Sequence, residues 1–295
     1  MKQRIGMAGI GLMGHGIASN LLKHGYPLTV LEHAGNQPLE ALRAAGARTE
    51  PSAAALAAGA DVVILCVTGT PQVEAVLLGA GGVLQGLRPG TVVIDCSTAI
   101  PSSTERVAQA VLQAGGRFLD APITRTPREA AEGRLNLLVG GDAALFEEYR
   151  PLLACFAENI THAGPVGAGH RMKLLHNYVS LGFVALLAEA AACAERAGIA
   201  PEVLVDVLAQ GGGGGIALER LKPYLLERDP SGLRFAMANA QKDLGYYTAM
   251  AGDSGAARAI ADSVHQTYAR AATQGGPQAL VPELVGLLAR GGAAA

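Results

Sequence analysis

The sequence predicts an α/β chain in two parts: a doubly wound, mostly parallel sheet domain over residues 1–164 and an all-helical domain over residues 165–295, joined by a long helix. Three observations predict this. Up to about residue 163, short apolar runs rich in β-branched residues alternate with helical patterns, the signature of parallel strands covered on both faces. A glycine-rich turn separates the first run from the first helix. From His170 onward no strand-like run is convincing, while Ala, Leu and Glu recur at helical spacing.

Taken in order, Arg4–Ala8 (RIGMA) reads as a strand, Leu12–His24 as a helix and Leu28–Glu32 (LTVLE) as the second strand. Asp61–Val67 (DVVILCV) is followed by a helix near Pro71–Leu78. Thr91–Cys96 (TVVIDC), the fourth apolar strand, is followed by a helix over Ser102–Ala114. Arg117–Leu119, Asn136–Val139 and Asn159–His162 complete the strands, and GPVGAG places the boundary at Gly164-Pro165. His170–Arg196 reads as one helix of ~40 Å. It is apolar nearly all round, which predicts burial. Its most apolar stretch, Val179–Ala194, is broken by Ser180, Gly182 and Glu189 and falls short of the ~20 apolar residues of a membrane span. Gly211–Gly215 is expected to be a flexible loop between helices. Helical spacing continues through Ala249 and returns at Ala256–Thr273 and Pro282–Ala289, and the GGAAA tail is expected to fray.

The 295 residues suffice for one large or two modest domains, and 50% hydrophobic against 16% charged residues excludes intrinsic disorder. A formal net charge of −2, no long Lys/Arg run and no Trp weigh against a nucleic-acid or membrane-surface partner. The four cysteines show no C-x-x-C spacing, so neither a disulfide framework nor a Cys-rich zinc site is expected, which fits a reducing cytoplasm. The basic, apolar start resembles a signal peptide, but its glycines fall at turn positions and no cleavage site follows a continuous apolar core. The expectation is a soluble, cytoplasmic protein.

Gly9-Ile10-Gly11-Leu12-Met13-Gly14 matches G-x-G-x-x-G directly after a strand and at the start of a helix, as the dinucleotide fingerprint of a Rossmann domain requires. Gly9 permits the turn, Gly11 admits a pyrophosphate, Gly14 allows close packing, and the helix N-terminus, with Leu12 and Met13 in its first turn, holds the phosphates. Glu32 ends the second strand 18 residues after Gly14, where a carboxylate accepts from ribose hydroxyls and opposes a 2′-phosphate. No Arg follows within ten residues, so NAD is favoured over NADP. Ser97 and Thr98 follow Asp95-Cys96 at another strand end, where ligands gather in open α/β sheets; a helix cap ahead of Pro101 is their other use. Val67, also at a strand end, joins the cofactor set. Lys173 and Asn177 share a helix face with His176 beside them. Burying a lysine and an asparagine on an apolar helix is costly, and a desolvated lysine is poised as a proton donor and acceptor. The competing use is a helix end that exposes Lys173 to water.

Together these residues resemble the β-hydroxyacid dehydrogenase family, which includes 3-hydroxyisobutyrate dehydrogenase, tartronate semialdehyde reductase and, more distantly, 6-phosphogluconate dehydrogenase. The resemblance runs through GIGLMGHGIASNLLKHGYPLTVLE, DCST, DAPITRT with EGRLNLLVGG, GPVGAGHRMKLLHN and QKDL at Gln241–Leu244. It implies Lys173 as acid/base, Asn177 as the residue orienting substrate, Ser97 on substrate, Thr98 on cofactor, Lys242 near the nicotinamide, and a helical domain that builds a homodimer or homotetramer. Two departures stand out. The family's D-x-P-V-S-G-G reads here Asp120-Ala121-Pro122-Ile123-Thr124-Arg125-Thr126, so Thr124 keeps a hydroxyl while Arg125 and Thr126 replace glycines. An arginine there is a bidentate clamp for an anion, similar to the loop of sulfolactaldehyde reductase, or a solvated loop residue. His176 stands where simpler members carry Asn, and it is assigned to tuning the lysine or bonding substrate rather than to a metal. The expected function is therefore NAD-dependent interconversion of a small 3-hydroxy acid, carboxylate or sulfonate, and its semialdehyde. Imine reductases share the scaffold but generally replace the lysine, and a non-catalytic cofactor-binding protein is the other alternative.

Overall fold

A computed structural model describes residues 2–276 and 278–291. The last four residues of the GGAAA tail lie outside them. The chain divides into two compact units, residues 1–173 and 174–295.

In the first unit β1 (Ile5–Ala8), α1 (Leu12–Lys23) and β2 (Leu28–Leu31) are followed by α2 (Glu40–Ala44), β3 (Arg48–Glu50) and α3 (Ala53–Gly59). Then come β4 (Val62–Leu65), α4 (Thr70–Leu78), α5 (Val83–Gly86), β5 (Val92–Asp95), α6 (Pro101–Gln113) and β6 (Arg117–Asp120). The unit continues with β7 (Ile123–Thr124), α7 (Pro127–Glu132), β8 (Leu135–Gly141), α8 (Ala143–Leu153) and β9 (Ala157–Gly164). The strands form one sheet in the order β3-β2-β1-β4-β5-β6-β8-β7, with β9 on β8. The six strands from β3 to β6 are parallel, the order of a dinucleotide-binding sheet. β8 runs antiparallel to β6 and β7 and carries the sheet's far edge. Because β1 and β4 are fully buried on both faces, their sequences are unbroken apolar runs, which is why they are legible. β3, the polar Arg48–Glu50, and the two-residue β7 carry no such signal, so the fourth apolar run, which ends at Asp95, is the fifth strand in chain order.

The second unit is helical. α9 (Ala168–Arg196) runs into it from the first, followed by α10 (Pro201–Ala209), α11 (Ile216–Glu227), α12 (Met237–Asp253), α13 (Ala259–Gly275) and α14 (Leu284–Gly291). Gly211–Gly215 lies in the turn between α10 and α11. The core here gathers Leu181, Val184 and Ala188 of α9 with Leu218, Leu221, Leu244 and Tyr268, whose hydroxyl donates to the Leu181 carbonyl at 3.0 Å.

Two expectations for α9 are corrected. It is not buried all round: Leu175, Val179, Phe183 and Leu186 form an exposed stripe at three- and four-residue spacing, because the other helices of one chain cover only part of its circumference. Nor is it too short and polar to cross a membrane by length and composition alone: the helix has 29 residues and an 18-residue window of mean hydropathy 1.5, although half of that window is buried inside the protein.

Candidate active site

The turn after β1 lies where the order of strands reverses between β1 and β4. Gly9 sits at φ +93°, and a Cβ there would overlap the Cys66 carbonyl; one on Gly14 would overlap the Gly9 carbonyl oxygen. At Gly11 a Cβ would meet nothing within 4 Å. Gly11 is also the N-cap of α1, with no side-chain cap, so the first-turn N–H groups of Leu12, Met13 and Gly14 are unscreened by side chains. This open, amide-lined approach fits a dinucleotide pyrophosphate. The neighbouring loop is stapled to it by Asn36, a residue the sequence reading missed. Asn36 Oδ1 accepts from the Ile10 N–H at 3.2 Å and its Nδ2 donates to the Leu31 carbonyl at 2.9 Å. Glu32 follows β2, and its carboxylate accepts from Arg43 Nη2 at 3.2 Å. Arg43, in α2, lies eleven residues on, outside the ten-residue window that holds no arginine, and the fold brings it to Glu32.

The ends of β5 and β6 hold a buried polar cluster that no sequence pattern announced. Asp95, Asp120 and His170 are all fully buried. Asp120 anchors the start of α9: Oδ1 accepts from the Gly167 N–H at 2.7 Å and Oδ2 from the His170 N–H at 2.9 Å. Gly169 permits this approach, since a Cβ there would overlap the Leu138 carbonyl. His170 Nε2 lies 3.2 Å from the Ser97 carbonyl, which can only accept, so Nε2 carries the proton; Nδ1 lies 2.9 Å from Thr104 Oγ1. Burial pushes the Asp95 carboxyl above its usual range, against the pull of His170 and of hydrogen bonds from Ser97. Ser97 Oγ also accepts from the Val67 N–H at 3.0 Å, which links two of the expected site residues at adjacent strand ends. Thr98 is half-buried beside them, and Lys173, also half-buried, is one turn beyond His170.

In the helical unit, Asn177 is one turn beyond Lys173 on the same helix and is buried. Its Nδ2 donates to Asp243 Oδ2 of α12 at 2.7 Å, and its Oδ1 lies 3.0 Å from His176 Nδ1. Asp243 Oδ1 pairs with Lys242 Nζ at 3.1 Å.

The loop carrying Thr124, Arg125 and Thr126 differs from the sequence expectation. Thr124 Oγ1 accepts from Asn136 Nδ2 at 3.0 Å, and Thr126 caps α7 in a reciprocal pairing with Glu129. Arg125 takes φ +84°, a region suited to glycine. Its guanidinium, a quarter exposed, is already partnered: it donates to the Glu158 carboxylate and the Arg134 carbonyl. The partner was invisible in sequence because Glu158 comes from β9, 33 residues on. Among the described residues no group of three or more His, Cys, Asp or Glu is placed to hold a metal ion.

The strand order, the amide-lined turn and the acidic end of β2 define a dinucleotide-binding protein. Comparison with known proteins makes this specific. Residues 4–164 match the NAD-binding domain of 6-phosphogluconate dehydrogenase, and residues 167–288 match the NAD-binding domain of NADP-dependent 3-hydroxyisobutyrate dehydrogenase. The chain is 39% identical over 252 residues to the NAD-dependent L-serine dehydrogenase of Pseudomonas aeruginosa, covering 83% of this chain and 84% of that one. It is 33% identical over 246 residues to the 2-(hydroxymethyl)glutarate dehydrogenase of Eubacterium barkeri, covering 82% and 80%. The solved 3-hydroxyisobutyrate dehydrogenase of Mycobacterium tuberculosis with L-serine matches with a TM-score of 0.87 at 28% identity, over 98% of this chain and 99% of that one. The chain belongs to the β-hydroxyacid dehydrogenase family, as an NAD-dependent hydroxyacid dehydrogenase of the 3-hydroxyisobutyrate dehydrogenase type.

Proposed function

We propose that the substrate is a 2-substituted 3-hydroxypropanoate, or its sulfonate counterpart, and that the product of oxidation is the matching semialdehyde. The observation that carries this is the placing of Lys173 and Asn177 one turn apart on α9, an amine and a primary amide on one helix face. The names of the three relatives support it, since L-serine, 2-(hydroxymethyl)glutarate and 3-hydroxyisobutyrate all carry a CH2OH group on the carbon that bears a carboxylate.

When bound, the nicotinamide supplies the acceptor or donor of hydride. The amides of Gly11, Leu12, Met13 and Gly14 hold its pyrophosphate, Glu32 the ribose, and Val67, Thr98 and Lys242 the remainder. Lys173 takes the hydroxyl proton in oxidation and returns it in reduction, while an Asn177 N–H holds the reacting oxygen. Ser97 braces the strand ends, and Thr124 offers its hydroxyl to the anionic group, with Thr126 and His176 beside the substrate. Arg125 adds a cation by exchanging Glu158 for the substrate anion. That exchange is inexpensive, since an ion pair with a partly exposed carboxylate contributes only ~0–1 kcal/mol. Residues 1–164 form the cofactor domain, which also lends Thr124, Arg125 and Thr126 to the substrate, and residues 165–295 form the substrate and assembly domain, which also lends Lys242 to the cofactor. The exposed stripe Leu175–Val179–Phe183–Leu186 is covered by a second copy in a homodimer or homotetramer. A reducing cytoplasm keeps the four free thiols as they are.

The test is NAD reduction with L-serine, 3-hydroxyisobutyrate, 3-hydroxypropionate, glycerate and 2,3-dihydroxypropanesulfonate, by wild type, Lys173→Ala and Arg125→Gly. Lys173→Ala is expected to lower turnover by roughly 10²–10⁴-fold with NAD binding retained. Arg125→Gly is expected to raise KM most for the most strongly anionic substrate. Wild-type turnover in Lys173→Ala would remove the proposed chemistry.

A further inference from the structure

The QKDL segment contributes Lys242 to the expected site, but its next residue is more deeply placed. Asp243 is 3% exposed on α12, and Asn177 is 7% exposed on α9. The 2.7 Å contact joins Asn177 Nδ2 to Asp243 Oδ2. A carboxylate only accepts, so it is the NH₂ end of the Asn177 amide that must face it. The amide oxygen in turn faces His176 Nδ1 at 3.0 Å, where the imidazole N–H donates. Both ends of the amide are thereby specified, and the orientation that results leaves its second N–H, rather than its oxygen, to meet an incoming group. Lys242 Nζ, 3.1 Å from Oδ1, balances the charge of the buried carboxylate. The two helices are also locked in register beside this pair: Tyr178 and Tyr247 stack with ring centroids 4.1 Å apart and planes inclined by 17°.

We propose that Asp243 is a positioning residue of this dehydrogenase, which fixes the Asn177 amide so that it presents N–H to the substrate oxygen. The proposal rests on the reading that Asn177 binds that oxygen. Oxidation of an alcohol and reduction of an aldehyde both pass through a state with developing negative charge on oxygen. An amide N–H stabilises that charge, whereas a rotated amide would direct its own oxygen at it. The effect of Asp243 therefore falls on kcat more than on KM for NAD.

Three variants of the full chain test this, with steady-state kinetics on the best substrate of the screen and a melting temperature for each. Asn177→Ala establishes the reading on which the proposal rests; its turnover is expected to fall at least 10-fold, and unchanged turnover would sink both that reading and the proposal. Asp243→Asn keeps size and shape but lets either end of the Asn177 amide face it; kcat is expected to fall ~10–100-fold with KM for NAD within about 2-fold of wild type. The double variant Asn177→Asp/Asp243→Asn keeps one carboxylate and one amide in contact. It is expected to melt close to wild type yet remain at least 10-fold down in kcat, because an acceptor-only group now occupies position 177. Wild-type kcat in Asp243→Asn, with Asn177→Ala impaired, would overturn the proposal alone. Recovery of kcat in the double variant would also overturn it, since the pair would then be structural. Should Asp243→Asn not fold, the double variant carries the decision.

Discussion

Replacing Asp120 by Asn tests how the start of α9 is tied to the sheet. Asp120 is fully buried at the end of β6, and its two oxygens accept the Gly167 and His170 N–H groups at 2.7 and 2.9 Å. Asn offers one oxygen and one NH₂, so it serves one of these donors and turns a donor toward the other. Leaving a buried donor unsatisfied costs ~1–3 kcal/mol. Removing the negative charge from a helix N-terminus costs up to ~2 kcal/mol more in a buried setting. The expected loss is about 2–4 kcal/mol, which for a unit of this size lowers its melting temperature by roughly 5–15 °C. Differential scanning calorimetry of wild type and Asp120→Asn reads this shift directly, and kcat should fall alongside it because Lys173 is one turn beyond His170 on the anchored helix. A shift below about 2 °C would refute the view that Asp120 is the anchor, whatever became of activity.

Two further predictions concern surface charge. Glu32→Arg is expected to move the ratio of kcat/KM for NADP over NAD upward by roughly 10–100-fold, because it removes the carboxylate that opposes a 2′-phosphate and leaves Arg43 as a second cation beside the new one; an unchanged ratio would mean that Glu32 does not face the ribose. Asp61 is held well below the usual carboxylate range, chiefly by hydrogen bonds from the Arg4 side chain and backbone and then by Arg88. The folded chain thus binds this proton less tightly than the unfolded chain, so the stability Asp61 contributes is complete above the unfolded pKa near ~4 and is lost as pH falls below it. Urea midpoints should separate wild type from Asp61→Asn at pH 6, and the separation should narrow progressively as pH falls below ~4 while part of it survives at pH 3; a constant separation would contradict the linkage.

Legibility in the sequence follows burial. β1, β4 and β5 are enclosed on both faces, so apart from Asp95 at the end of β5 their residues are Ile, Val, Leu, Met, Ala or Gly, and they stand out as apolar runs. β3, β7 and the short α2, α5 and α7 are set by neighbours distant in the chain, and their own residues carry no period long enough to read. The glycine turn was legible for a related reason: Gly9 at φ +93° and Gly14 against the Gly9 carbonyl are places where a Cβ has no room, so the constraint is written in the residue type itself. Lys173 and Asn177 were singled out by spacing and by family resemblance, and Lys242 by resemblance alone, all of which are properties of the chain. Asp95, His170 and Asp243 were not, because a polar residue in isolation does not disclose whether it will be buried or with what partner.

The sequence by itself determined the alternation of strand and helix, the glycine turn for a dinucleotide, the long helix carrying an amine and an amide one turn apart, and the membership of a dehydrogenase family. Each is a local pattern, or a set of local patterns in fixed order, and local patterns survive without coordinates. Only the tertiary structure decided that Arg125 pairs with Glu158, that Arg43 reaches Glu32, that Asp120 grips the start of α9 and that Asp243 turns the Asn177 amide. These are contacts between residues from 11 to 66 positions apart. A hydrogen bond depends on distances of a few tenths of an ångström, which the folded chain sets and the order of residues along it does not.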